Sequence, residues 1–204
     1  MKSVERGEPN PVIIERAQRG DQNAFAQLVA LYQTPIYNLA YRMLGTANEA
    51  EDAAQETFLR AYKQLKSYKT DYKFAPWLMS IASHYCIDRL RKGRGWRWLS
   101  LDDEPVGEVL PADTPDPEES ALANERTEQI QKLLQKLPPA YRAVVTLKYW
   151  NEMSVEEIAQ VTNDSVANVK VKLYRARQLM AQDYARETQP QLRPVWQGAM
   201  SDAS

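Results

Sequence analysis

The chain has 204 residues, 44% hydrophobic and 26% charged, enough for one domain or two small ones with real cores. Its 26 Lys+Arg against 27 Asp+Glu give no global field marking a nucleic-acid or membrane partner, so any such surface must be local. No stretch approaches the roughly 18 apolar residues of a membrane span, the opening MKSVERGEPNP lacks the apolar core of a secretory signal, and the lone cysteine permits no internal disulfide, which fits a reducing cytoplasm.

Helical spacing dominates, and no alternating run is long enough to argue for a sheet, so the expected fold is all-α. Asp21 caps a first helix carrying Phe25, Leu28, Val29, Tyr32, Ile36, Leu39, Ala40 and Met43, bent near Pro35 and ended by Gly45. Asn48, with Glu51 three residues later, reads as a capping box opening the next helix, whose buried stripe is Ala50, Ala54, Phe58, Ala61 and Leu65. Opposite that stripe stand Asp52, Gln55, Glu56 and the apolar Leu59. A solvated face accounts for the acids, but acids around an exposed leucine also suit a protein partner. Their sign excludes DNA.

A basic, tyrosine-rich loop, KSYKTDYKFAP, leads into FAPWLMSIASHYCIDRLRKGRGWRW at 74–98. Helical spacing sets Phe74, Trp77, Leu78, Ile81, Ala82 and Tyr85 on one stripe, read as core. Beside it sit Ser80, His84, Asp88 and Arg91, and Arg89, Arg91, Lys92, Arg94 and Arg97 face Asp88 as the segment's single acid. Cations that track a backbone, interleaved with aromatic faces on which unpaired bases stack, are the chemistry of single-strand binding. His84 and Cys86 are the chain's only histidine and cysteine, and two positions apart on a helix they point away from each other. Neither a zinc site, which takes about four ligands, nor Cys–His catalysis follows; a core thiol and a surface imidazole do.

Residues 101–119 hold four prolines and eight acids without a lysine or arginine, a self-repelling linker. Beyond it, Leu122, Ile130, Leu133, Leu134 and Leu137 mark a helix stopped by Pro138-Pro139, and Pro139 opens the next, AYRAVVTLKYW. Ser154 with Glu157 forms a capping box, Asn163 suits a left-handed turn, and Ser165 caps a second helix: the helix-turn-helix pattern. On that second helix Val166, Val169, Leu173, Ala176 and Met180 share the buried face. Ala167, Asn168, Val171, Arg175 and Gln178 lie opposite, flanked by Lys170, Lys172 and Arg177, with no acid between Val166 and Gln182. Asn168 could meet an adenine edge and Val171 a thymine methyl, while the cations hold phosphates. A solvated basic face is the plainer account of the same residues. The plan is thus a helical domain at 11–98, a linker at 99–119, a smaller helical domain at 120–186 and a disordered tail at 187–204.

These segments resemble the extracytoplasmic-function (group IV) sigma factors of the sigma-70 superfamily. AEDAAQETFLRAY (50–62) is similar to the family's region 2.2, FAPWLMSIASHYCIDRLRK (74–92) to regions 2.3 and 2.4, and residues 137–180 to region 4. The resemblance implies a cytoplasmic promoter-specificity subunit with no cofactor, no metal and no catalysis of its own. Asp52, Gln55, Glu56 and Leu59 would bind the β′ clamp helices of RNA polymerase core, whose β flap is a further contact. Lys73, Phe74, Trp77, His84, Asp88, Arg91 and Lys92 would capture the melted −10 strand. Ala167, Asn168, Lys170, Val171, Lys172, Arg175 and Arg177 would read the −35 duplex. The remaining partners implied are promoter DNA and an anti-sigma factor, without membrane insertion. Two departures bear on promoter sequence: the family's IARN is here Ile81-Ala82-Ser83-His84, and its VGTVKSRL is here VANVKVKL.

Two other classes explain less. A stand-alone helix-turn-helix regulator accounts for 154–180 but leaves Asp52, Glu56, Leu59 and the 74–98 stretch without a role, and it would normally dimerise. For a nucleic-acid enzyme there is no candidate nucleophile, metal set or phosphate loop.

Overall fold

The structure, a computed structural model, describes residues 8–69, 73–94 and 120–188, with the side chains of 93, 94, 120–126 and 188 left aside. The acidic linker, Arg97 and nearly all of the tail therefore lie outside the described residues. Eight α-helices and one 3₁₀ turn, with no strand, make up the secondary structure of those residues.

α1 (Pro11–Gln18) is a helix too short for apolar periodicity to announce. Its signal is local: Asn10 accepts from the Val12 amide at 3.0 Å, and Pro11 stands where its missing N–H does no harm. α2 (Gln22–Leu44) begins, as expected, at Asp21, whose carboxylate accepts from the Asn23 and Ala24 amides, and ends at Gly45 in the left-handed region (φ 97°). α3 (Ala47–Gln64) is capped by Thr46 and Glu49, not by Asn48 and Glu51. Gly45 reverses the chain one residue before Thr46, which leaves Thr46 extended in the geometry of an N-cap.

Leu65–Ser67 form the 3₁₀ turn, and Gln18 holds the chain there by donating to the carbonyls of Leu65 and Tyr68. α4 (Phe74–Arg94) follows. Its buried stripe is rotated from the expected one. Phe74, Leu78 and Ala82 are buried with Met79, Ser83, Cys86, Ile87 and Leu90, while Trp77, Ile81 and Tyr85 sit half-buried on its border. On α3 the stripe shifts likewise: Ala50, Ala53, Thr57 and Ala61 are buried, Ala54 and Phe58 half-buried. Alanines at 53 and 61 let α2 and α4 approach closely, so the narrow residues rather than the bulky Phe58 face inward.

α5 (Ser120–Lys136) and α6 (Pro139–Tyr149) flank the proline pair. Leu133, Leu134 and Leu137 are buried, but Ile130 is exposed. α7 (Val155–Thr162) carries the Ser154–Glu157 capping box, Asn163 adopts φ 54°, and Ser165 caps α8 (Val166–Thr188) by accepting from the Asn168 amide. α8 runs past the expected tail boundary, and Lys136 reaches Glu187 on its last turn.

The two helical sets are not separated. α4 contacts α6 and α7, α2 contacts α5 and α6, and one core runs through Ile36, Leu78, Leu134, Val144 and Ile158. The C-terminus of α2 explains how. A helix leaves its last four carbonyls without an internal donor. Here Gln131 donates to Tyr41 O at 3.0 Å, Gln135 to Arg42 O at 3.1 Å, and Arg142 to Met43 O. Arg142 is 1% exposed and also donates to Gln135 and to Leu137 O, while Arg42 covers the Trp150 ring at 4.1 Å. Long polar side chains of the second set thus complete a helix of the first.

Candidate nucleic-acid interface

On α8, the face opposite Val169, Leu173 and Ala176 is as expected in sign. Ala167, Asn168 and Lys170 are exposed; Lys172, Arg175 and Arg177 are half-buried, and so is Val171, which is less open than its helical position suggested. Asp164, one residue before the Ser165 cap, belongs to neither helix and carries no periodic signal. Its carboxylate accepts from Lys172 Nζ and, at 3.4 Å, from Asn168 Nδ2. An acid beside the first turn is favoured by the helix dipole, and it orients two of the candidate base-reading side chains.

On α4, His84, Asp88, Arg91 and Lys92 lie along one face, with Arg91 paired to Asp88 at 3.9 Å. Phe74 is a correction: at 1% exposure it packs on Tyr32, Tyr68 and Trp77, with ring centroids 5.3–5.5 Å apart, and belongs to the core. Trp77 leans on Tyr68 at 4.8 Å yet keeps part of its ring at the surface, beside Ser80 and Ile81. Cys86 is buried on the far side, and desolvation pushes its thiol up to about 12, an unreactive core group.

Lys73 begins this surface and donates to Glu157 of α7 at 2.8 Å. That bond, with the Ser154 amide, holds the Glu157 carboxyl below its ordinary range, and it raises the Lys73 ammonium above its own. Between α4 and α7 lies a cleft of about 460 Å³ lined by Lys69, Lys73, Trp77, Ser80, Gln160 and Val161.

On α3, Asp52, Gln55 and Leu59 lie on the outer face, Leu59 at 57% exposure, and Glu56 is half-buried. The acids are not solvated alone. Glu56 accepts from Arg60 at 2.7 Å, and Arg89 of α4 lies 3.5 Å from Glu49 and 3.9 Å from Asp52. The i,i+4 spacing of Glu56 and Arg60 is readable in the sequence; the reach of Arg89 across helices is not. Among the described residues no group of His, Cys, Asp and Glu side chains could hold a metal, and no helix is long and apolar enough to cross a membrane.

An all-α chain with an acidic-leucine face, a cationic-aromatic edge and a helix-turn-helix has the parts of a sigma-type transcription factor. Residues 28–97 match Sigma-70 region 2 and residues 127–180 match Sigma-70, region 4, in that order. The chain is 40% identical over 174 residues to the ECF RNA polymerase sigma factor SigW of Bacillus subtilis (strain 168), covering 82% of this chain and 92% of that one. It belongs to the extracytoplasmic-function sigma factors, the promoter-specificity subunits of bacterial RNA polymerase. Solved structures share the fold. One is CnrH in complex with the cytosolic domain of CnrY, with a TM-score of 0.65, 24% identity, and coverage of 86% of this chain and 97% of that one. Another is the sigma factor RpoE in complex with the anti-sigma factor NepR from Bartonella quintana, with a TM-score of 0.57, 20% identity, and coverage of 83% and 98%.

Proposed function

We propose that the three faces divide the work of initiation. α3 docks on polymerase core through Asp52, Gln55, Glu56 and Leu59, the acids giving the sign and Leu59 the apolar anchor. Lys73, Trp77, His84, Asp88, Arg91 and Lys92 capture the melted −10 strand, with Trp77 as a stacking surface and Arg91 and Lys92 on phosphates. Ala167, Asn168, Lys170, Val171, Lys172, Arg175 and Arg177 read the −35 duplex. The reading is supported above all by the segregation of sign within one small bundle: an exposed leucine among acids on α3, and cations beside a half-exposed tryptophan on α4. The protein acts by binding in the cytoplasm, without catalysis of its own. Its partners are polymerase core, including the β′ clamp helices and β flap, promoter DNA, and an anti-sigma factor of the kind bound by the RpoE relative.

Reconstitution with bacterial core polymerase tests this. Co-elution on gel filtration, followed by transcription from a promoter library, should yield a shared two-part motif. Duplex binding with no affinity for core would hand the protein to the stand-alone regulator class. Asp52→Ala with Leu59→Ala should weaken core binding and leave the fold intact.

A further inference from the structure

Between α3 and α4, Arg60, Tyr85, Asp88, Arg89 and Lys92 line a cleft of about 410 Å³. None of Arg60, Tyr85 and Arg89 belongs to the −10 or core-binding sets above. Tyr85 organises both arginines: the Arg60 guanidinium lies over its ring at 4.9 Å, and Arg89 donates to its hydroxyl at 3.3 Å. Yet both are held by acids, Arg60 by Glu56 and Arg89 by Glu49 and Asp52. Two of those three acids, Asp52 and Glu56, are the ones assigned to polymerase core.

We propose that this cleft is a phosphate site for the promoter backbone, closed in the free protein and opened by polymerase. The inference rests on the assignment of Asp52 and Glu56 to core docking. When core takes those carboxylates, Arg60 is released from Glu56 and Arg89 keeps only Glu49. Arg60, Arg89 and Lys92 then surround Tyr85 with only Asp88 and the retained Glu49 against them, continuous with Arg91 on the same helix. Planar guanidinium groups suit two phosphate oxygens at once. The pairs are weak enough to exchange, since every partner is at least a third exposed. Core docking and DNA capture are thereby joined through shared arginines: at this cleft the free protein holds a phosphate poorly and the holoenzyme holds it well, by exchange of side-chain partners alone.

The test is Arg60→Gln with Arg89→Gln in the reconstituted holoenzyme. Binding of a labelled promoter fragment is measured across a salt series, and core affinity is measured separately. The expected result is core affinity unchanged or raised, because both core-assigned acids, Asp52 and Glu56, are unmasked, together with promoter binding several-fold weaker. The slope of log K against log[salt] should be shallower by about 0.7–0.9 for each phosphate that is no longer neutralised. A salt slope equal to wild type overturns the proposal. So does a drop in core affinity as large as the drop in promoter affinity, which would put the arginines on the polymerase surface. Glu49→Gln gives an independent reading: by loosening Arg89 it should raise the affinity of the free protein for a single-stranded −10 oligonucleotide, and no increase counts against the exchange. The docking assignment fails by a different result, an Asp52→Ala, Leu59→Ala variant that binds core normally.

Discussion

Arg142→Met separates the hydrogen bonds of a buried guanidinium from its bulk. Arg142 donates to Met43 O and Gln135 Oε1 from one nitrogen and to Gln135 O and Leu137 O from another. Methionine refills most of the space with a flexible apolar chain but leaves three backbone carbonyls without that donor, where water has little access. Each orphaned acceptor costs about 1–3 kcal/mol, while removing a buried charge recovers part of its desolvation, so the net destabilisation should be about 3 kcal/mol. At about 2–4 °C per kcal/mol for a chain of this size, Tm should fall by about 6–12 °C in a circular-dichroism melt. Arg142→Lys keeps the charge but offers a point donor in place of a fork, and should fall between the two. Because Met43 lies in the other helical set, protease cleavage between 95 and 119 should also release the two halves more readily in the Met variant. A Tm within about 2 °C of wild type would refute the view that this side chain completes the end of α2.

Three other outcomes test the DNA-facing surfaces and the join between them. His84→Ala should reduce binding of a −10 single strand more than binding of a −35 duplex, both read by fluorescence anisotropy; equal reductions would remove His84 from the melted-strand surface. Lys170→Ala or Arg175→Ala should weaken −35 duplex binding by roughly 1–3 kcal/mol where the side chain meets a base, or flatten the salt slope where it meets a phosphate. No effect from either would leave α8 with a merely solvated basic face. The Lys73–Glu157 bond should respond to pH with a definite sign. Its depressed carboxyl stabilises the pair above the ordinary value of 4.5 and ceases to do so as pH falls through the lowered pKa; the raised ammonium contributes below its ordinary 10.5 and ceases to do so as pH rises further. Energy transfer between labels on α3 and α8 should therefore weaken on acidification, and less so in Lys73→Ala.

Local signals are the most legible part of the sequence. Asp21, Gly45, Ser154 with Glu157, Asn163 and Ser165 all take the conformations their chemistry demands, because a cap is decided by a few neighbouring residues. Thr46 is harder to read because two S/T/N-x-x-E spacings overlap there, and only the left-handed Gly45 decides between them. The burial of α4 is half legible. Periodicity finds a stripe but counts Trp77 and Tyr85 as part of it, since hydrophobicity cannot distinguish an aromatic side chain buried in the core from one left at its edge. Least legible is the joining of the two sets. A proline-rich acidic linker argues for independence, and nothing in AYRAVVTLKYW says that its arginine is buried against a carbonyl 99 positions earlier.

The contact between α4 and α7 has a metric consequence. Helices in contact lie about 8–10 Å apart, and α8 in turn packs on α7, so the two helices proposed to read DNA pass at most about 20 Å from each other. The −10 and −35 elements, by their names, lie about 25 base pairs apart, or about 85 Å along a duplex that rises about 3.4 Å per pair. Simultaneous engagement on the proposed reading therefore requires the shared core to part, and the free energy of that contact is subtracted from the free energy of promoter binding. Heat stability and promoter affinity become two readings of one equilibrium: a substitution that tightens α4 against α7 stabilises the free protein and weakens its grip on the promoter by the same factor.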